Sequence, residues 1–337
     1  MEMYLPYIWA GLIAAAVALY VILDGFDLGI GILFPFVRKH EDRDPMIGSI
    51  APFWDGNETW LVLGGGGLWV AFPNAYAVIM PAMYLPVIVM LLALIFRGVS
   101  FEFREVAPSH HRRWDYAFAG GSFVAAFAQG VILGGLLQGI TVVDGRFAGG
   151  AFDWLTPFAL MCGLGLVAGY ALLGSTWLIM RTEGGLAEYS RRQARILLFV
   201  VLAFIALVSL WTPLAIERIA ERWFSTPNIF LLWPVPLLTA ILAWIVWRGL
   251  ERKREYAPFL ASVALFLLCY LGLAISTFPY MVPPSMTVVE AAAVPASQIF
   301  SLIGVVFLLP VILGYTAFVY WTFLRGKVAP GESYHAH

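Results

Sequence analysis

Charge is what this chain has least of. Only 12% of its 337 residues are Asp, Glu, Lys or Arg, about half the share usual in a soluble domain, so a fold with a hydrated, charged surface is excluded. Cysteine is nearly absent. Cys162 and Cys269 both fall in apolar stretches, which leaves no disulfide framework and no C-x-x-C metal spacing. Histidine is confined to His40, His110, His111, His335 and His337, all in polar connections or the tail. Haem held inside a helix bundle takes axial histidines from facing helices, so no haem-binding residue and no metal ligand set is expected here. His110 and His111 read as a solvated loop pair. No Walker motif, nucleophile elbow or zinc signature occurs. The net charge of -1 gives no indication of nucleic acid as a partner.

What fills the chain is hydrophobic: 61% of it, with a mean hydropathy of +0.84. Its apolar runs are long enough to be helices rather than barrel strands. This predicts an all-α integral membrane protein, a single polytopic membrane domain over 1–337 whose environment is the lipid bilayer. The start, Met-Glu-Met-Tyr-Leu-Pro, lacks the basic region of a cleavable signal, so the first apolar run is expected to stay as a transmembrane helix.

Nine spans are predicted, at about 6–36, 46–72, 75–99, 114–139, 154–181, 195–216, 228–249, 256–280 and 295–324, each near or above the roughly 20 residues needed to cross. Seventeen of the twenty Lys and Arg residues fall on one side of that arrangement. Only Arg146, Arg218 and Arg222 fall on the other. The positive-inside rule then places the N-terminus outside and the C-terminus in the cytoplasm. Short loops make sequential spans antiparallel neighbours, so spans 1–4 (6–139) and 5–8 (154–280) are expected as two four-helix bundles. Span 9 is then a peripheral helix, and 325–337 a polar, disordered tail.

Two stretches break the apolar pattern. Leu23-Asp-Gly-Phe-Asp-Leu-Gly29 carries Asp24 and Asp27. Ser49-Ile-Ala-Pro-Phe-Trp-Asp-Gly-Asn-Glu-Thr-Trp60 carries Asp55, Asn57 and Glu58, flanked by Trp54 and Trp60. Intramembrane carboxylates are expensive and mark functional paths by default. Counting helical rise from Met46, Asp55 and Glu58 lie roughly 13 and 18 Å inside the membrane, and Asp27 and Asp24 the same distances from the end of span 1. Each pair is spaced i, i+3 and shares a face. The expectation is a ladder of four acids leading in from the cytoplasm, with Arg97 and Glu102 at its mouth. Four carboxyls so close in a dry setting cannot all ionise, which suits a proton path. The bland reading is that each acid is an ion-pair or helix-contact partner. Trp54 and Trp60 read as packing. Gly25, Gly29, Gly31 and Gly64–Gly67 read as small faces for close helix approach, not as a nucleotide loop.

These stretches, with Phe96-Arg-Gly-Val-Ser-Phe-Glu-Phe-Arg104 and Phe278-Pro-Tyr-Met-Val-Pro-Pro-Ser285, resemble subunit II of the cytochrome bd-type quinol oxidases. The likeness spans the whole chain in span order. The compact connection between spans 6 and 7 resembles the shorter, cyanide-insensitive branch. The resemblance implies a non-haem subunit that is not catalytic alone and sits in the bacterial inner membrane. It supports a haem-bearing subunit I, which carries haem b and haem d, in quinol oxidation and dioxygen reduction to water. It also implies that Asp24, Asp27 and Asp55 serve proton uptake toward the partner, with Glu58 less secure because some members have Gln there. A structural quinone occurs in some members, and small single-span accessory subunits are compatible with the resemblance. Two other functions fit the residues alone: a proton-coupled secondary transporter, whose broken helices and repeats are not evident, and a purely structural membrane subunit.

Overall fold

The computed structural model describes residues 2–37, 39–106 and 111–328. Met1, Arg38, 107–110 with His110, and the tail from 329 with His335 and His337 lie outside the described residues, as do the side chains of His40 and Glu105. In lipid every backbone polar group needs an internal partner, so an apolar chain crosses as helices. The long helices are α1 (Leu5–Leu33), α3 (Trp54–Ala71), α4 (Pro73–Val106), α5 (His111–Gln138), α6 (Pro157–Arg181), α7 (Gly184–Ala215), α10 (Pro234–Glu251), α11 (Tyr256–Thr277) and α13 (Pro295–Phe323). Short helices α2 (Arg43–Gly48), α8 (Glu217–Phe224), α9 (Asn228–Leu232) and α12 (Val288–Ala291) connect them. Pro73, Pro157, Pro234 and Pro295 each open a helix, where the missing N–H is no loss and φ is already helical. Thr156 caps α6 by accepting from the Ala159 amide at 3.1 Å, satisfying one of that helix's free donors.

Eight helices among the described residues are long and apolar enough to cross a membrane. The predicted second span, 46–72, is not among them. Its first part is the end of α2 followed by turns through Phe53, and the continuous helix begins only at Trp54. Pro52 lies in that break, and the residue before a proline is disfavoured in helical geometry. The resulting α3 is 18 residues long and starts on the polar run Trp54–Glu58. Other predicted spans are recovered with shifted ends. α4 continues to Val106 and bends at Met83, between Pro81 and Pro86, where prolines disrupt helical hydrogen bonds. α7 begins at Gly184, taking Arg191, Arg192 and Arg195 into its first turns. The loops at 140–153 and 281–294 hold small antiparallel hairpins, Val142–Val143 with Arg146–Phe147 and Tyr280–Val282 with Met286–Thr287.

α1 lies against α3, α5 and α6; α4 packs on α5; and α6 packs on α5, α7 and α11. The α1–α6 crossing is set by Gly29 against Gly174. A Cβ on Gly29 would collide with the Tyr170 carbonyl oxygen, and one on Gly174 with the Gly29 backbone. Small residues let backbones approach this closely where no hydrophobic effect drives association. α13 rests on α3 and α1 and is otherwise exposed along its length.

Candidate functional site

The α1–α6 crossing drives the middle of α1 into the interior, and the two aspartates go with it. Asp24 and Asp27 are fully buried. Opposite them α4 presents Arg97, also fully buried. Gly121 of α5 lets α4 come this close, since a Cβ there would lie 2.6 Å from the Ala93 carbonyl and 3.0 Å from the Arg97 amide. One Arg97 terminal nitrogen is 3.0 Å from Asp24 Oδ1 and 3.7 Å from Asp27 Oδ2. The other is 2.6 Å from Glu58 Oε1 on α3. One guanidinium thus faces three carboxyl groups. The Arg97 side chain also lies over Trp54 and Phe101, 5.7 Å from each ring centroid, and those two rings stack 4.8 Å apart.

Asn57 ties the cluster to the rest of the molecule. Its amide nitrogen donates to Asp27 Oδ2 at 2.7 Å and to the Leu23 carbonyl at 3.1 Å. Its Oδ1 accepts from the Tyr320 hydroxyl at 2.9 Å, so α1, α3 and α13 meet on one side chain. Asp27 Oδ1 has no hydrogen-bond partner among the described residues, and is an acceptor open to a proton. One turn before Asp24, the Tyr20 hydroxyl accepts from Gln129 Nε2 at 2.7 Å, while Tyr170 donates to Gln129 Oε1 at 2.8 Å.

The expected four-acid ladder is corrected to three acids on an arginine. Asp55 lies outside the buried cluster. It sits exposed in the first turn of α3, where the helix dipole favours a carboxylate, because the break before Trp54 moves the start of the helix to its doorstep. Arg97 is at the centre of the cluster instead of at a mouth, and Glu102 is exposed apart from it. Glu58, with 27% of its side chain exposed, is the member that reaches the surface. Trp54 lies beside the cluster. Trp60 is buried on a different part of α1, against Ala16 and Tyr20. Tyr20, Gln129, Tyr170 and Tyr320 were not singled out from the sequence. Gln129 had a readable signal, an amide alone in a long apolar stretch, which in a membrane demands a partner. Among the described residues no group of three His, Cys, Asp or Glu is placed to hold a metal ion.

A family model described as cytochrome bd terminal oxidase subunit II matches residues 5–323. The chain is 31% identical to the cytochrome bd-I ubiquinol oxidase subunit 2 of Escherichia coli K12, over 94% of this chain and 93% of that one. It is 29% identical to the cytochrome bd ubiquinol oxidase subunit 2 of Bacillus subtilis 168, over 96% and 97%. Its fold is similar to a chain in the structure of the bd oxidase from Geobacillus thermodenitrificans, with a TM-score of 0.75 at 16% identity, covering 96% of this chain and 99% of that one.

Proposed function

The chain belongs to the cytochrome bd terminal oxidase subunit II family, and from that premise we propose that its buried ion cluster carries protons for the oxidase. As such it is a multi-pass protein of the bacterial inner membrane and one subunit of a quinol oxidase complex with subunit I. The haems of subunit I supply the dioxygen chemistry; this chain's part is to hold and pass protons.

One observation carries the reading: a single fully buried guanidinium faces three carboxyls, and only Glu58 among them is partly open. One positive charge balances one carboxylate, so electroneutrality in a dry site is reached with protons on the other carboxyls. Protons enter and leave at Glu58, are held on Asp24 and Asp27 against Arg97, and reach Glu58 from the exposed Asp55 three residues earlier on the same helix. Asp55, Thr59, Val62, Gly66 and Trp69 form an exposed stripe of α3 that offers subunit I a face to dock on. α3 is taken as a crossing despite its polar start. That makes nine crossings in two four-helix groups plus peripheral α13, in one membrane domain, with the N-terminus outside and the basic ends in the cytoplasm.

A structural role alone is the second reading, favoured by Asn57, which joins three helices. Glu58→Gln in the purified complex separates the two. The expected outcome is unchanged haem absorption and assembly, with quinol-driven oxygen consumption slowed about a hundredfold or more, within the range of a lost proton-transfer group. Asp55→Asn, further out, is expected to slow it less. Normal turnover in Glu58→Gln leaves the structural role standing.

A further inference from the structure

A cavity of about 770 Å³ opens between α1, α6, α11 and the end of α13, within the roughly 300–1,000 Å³ range of small-molecule sites. Phe26, Trp177, Phe259 and Val263 wall it. Arg181, Glu183 and Lys327 stand at its rim, where α6 and α13 end. Val263 lies seven residues into α11 from Tyr256, which also lines the cavity, so the apolar part reaches roughly 10 Å in along the helix. A charged rim over an apolar depth suits an amphiphile better than a compact polar solute.

Charge decides which amphiphile. Lys327 faces two carboxylates, 2.7 Å from Glu255 and 3.5 Å from Glu183. Neither of them pairs with Arg181. Arg181 is 6% exposed, and its terminal nitrogens donate to the carbonyls of Gly326 at 2.6 Å and Phe323 at 2.8 Å. Its Nε has no acceptor, and no carboxylate among the described residues lies within ion-pair distance. Peptide carbonyls supply dipoles, whereas a buried cation is stabilised by a counter-charge. Basic pockets between spanning helices bind anionic lipid headgroups.

We propose that this cavity holds one anionic phospholipid, its phosphate beside Arg181 and an acyl chain along Phe26, Phe259 and Val263. A neutral quinone would fill the volume and leave the guanidinium unbalanced. A zwitterionic lipid would bring a cation of its own. The inner wall includes Leu23 and Tyr320, both bonded to Asn57, so an occupant would press on the neighbours of the ion cluster.

The test is competition on the purified, delipidated complex, read by native mass spectrometry with phosphatidylglycerol, phosphatidylcholine and ubiquinone as probes. The expected result is one retained phosphatidylglycerol per chain, with about a tenfold preference over phosphatidylcholine. Arg181→Gln should remove the preference. Val263→Trp keeps Arg181 but obstructs the apolar channel, and should lower occupancy about fivefold. Equal binding of the two lipids, displacement of phosphatidylglycerol by ubiquinone, or occupancy unchanged in Val263→Trp would each overturn the proposal. Should Arg181→Gln fail to assemble, the wild-type competition and Val263→Trp still decide.

Discussion

Replacing Arg97 by glutamine removes the one cation in a cluster of three carboxyls. Arg97, Asp24 and Asp27 are fully buried, so water cannot take over the lost role. Breaking a buried ion pair by deleting one partner costs about 3–5 kcal/mol, since the other charge stays buried and uncompensated. At 1.4 kcal/mol per factor of ten, the unfolded population rises about 10²- to 10⁴-fold. A second part of the cost has another origin. The guanidinium lies over Trp54 and Phe101, contacts worth up to about 2 kcal/mol when desolvated. The two parts separate in a triple variant. Adding Asp24→Asn and Glu58→Gln removes two of the three carboxyls that face Arg97 but returns no cation to the rings. Stability should recover by about 1–3 kcal/mol relative to Arg97→Gln alone, the coupling typical of residues in one ion network, and stop short of wild type. The assay is denaturant unfolding of the purified complex, followed by loss of its haem absorption. A cost below about 1 kcal/mol for Arg97→Gln, or no recovery in the triple variant, would refute the view that Arg97 is the counter-charge.

Gln129→Leu leaves the hydroxyls of Tyr20 and Tyr170 without their shared amide, and a buried polar group left unpaired costs about 1–3 kcal/mol; the same unfolding assay should register it. Gly29→Val forces branched carbons onto the Tyr170 carbonyl at the α1–α6 crossing, an overpacking worth about 1–3 kcal/mol or more, and should lower the yield of assembled complex. The Lys327 strap has a pH signature. A hydrogen bond to Glu255, helped by the charges of Glu255 and Glu183, holds the ammonium above its usual value. Its stabilising effect is therefore complete below the ordinary lysine value of about 10.4 and is lost only as pH rises through the raised one. Proteolysis after Phe323 should stay constant across neutral pH and increase only in strong alkali, by an amount set by a partly exposed surface pair worth no more than about 1 kcal/mol.

Eight of the nine spans were legible because lipid leaves an apolar chain few alternatives, and the Asp24–Asp27 pair because one turn of helix fixes which residues share a face. What could not be read was where helices start and stop near the site, and depth follows directly from that. Counting rise from Met46 assumed one straight helix, but the chain turns through Ser49–Phe53 and α3 starts at Trp54. Asp55 then belongs to a helix end, and Glu58, one turn on, becomes the acid that meets Arg97. The same error acted in reverse on α4. With a span ending near 99, Arg97 stands at a mouth. The helix in fact runs on to Val106, nine residues or roughly 13 Å beyond Arg97, and the guanidinium is carried into the interior. Tyr320 was beyond reach for a different reason. Its partner Asn57 lies 263 residues away, and periodicity within one helix says nothing about which distant helix turns a hydroxyl toward it. Local pattern therefore pointed to Asp24, Asp27, Asn57 and Glu58 on α1 and α3, while the arginine that faces their carboxyls depended on two helix ends that composition alone leaves open.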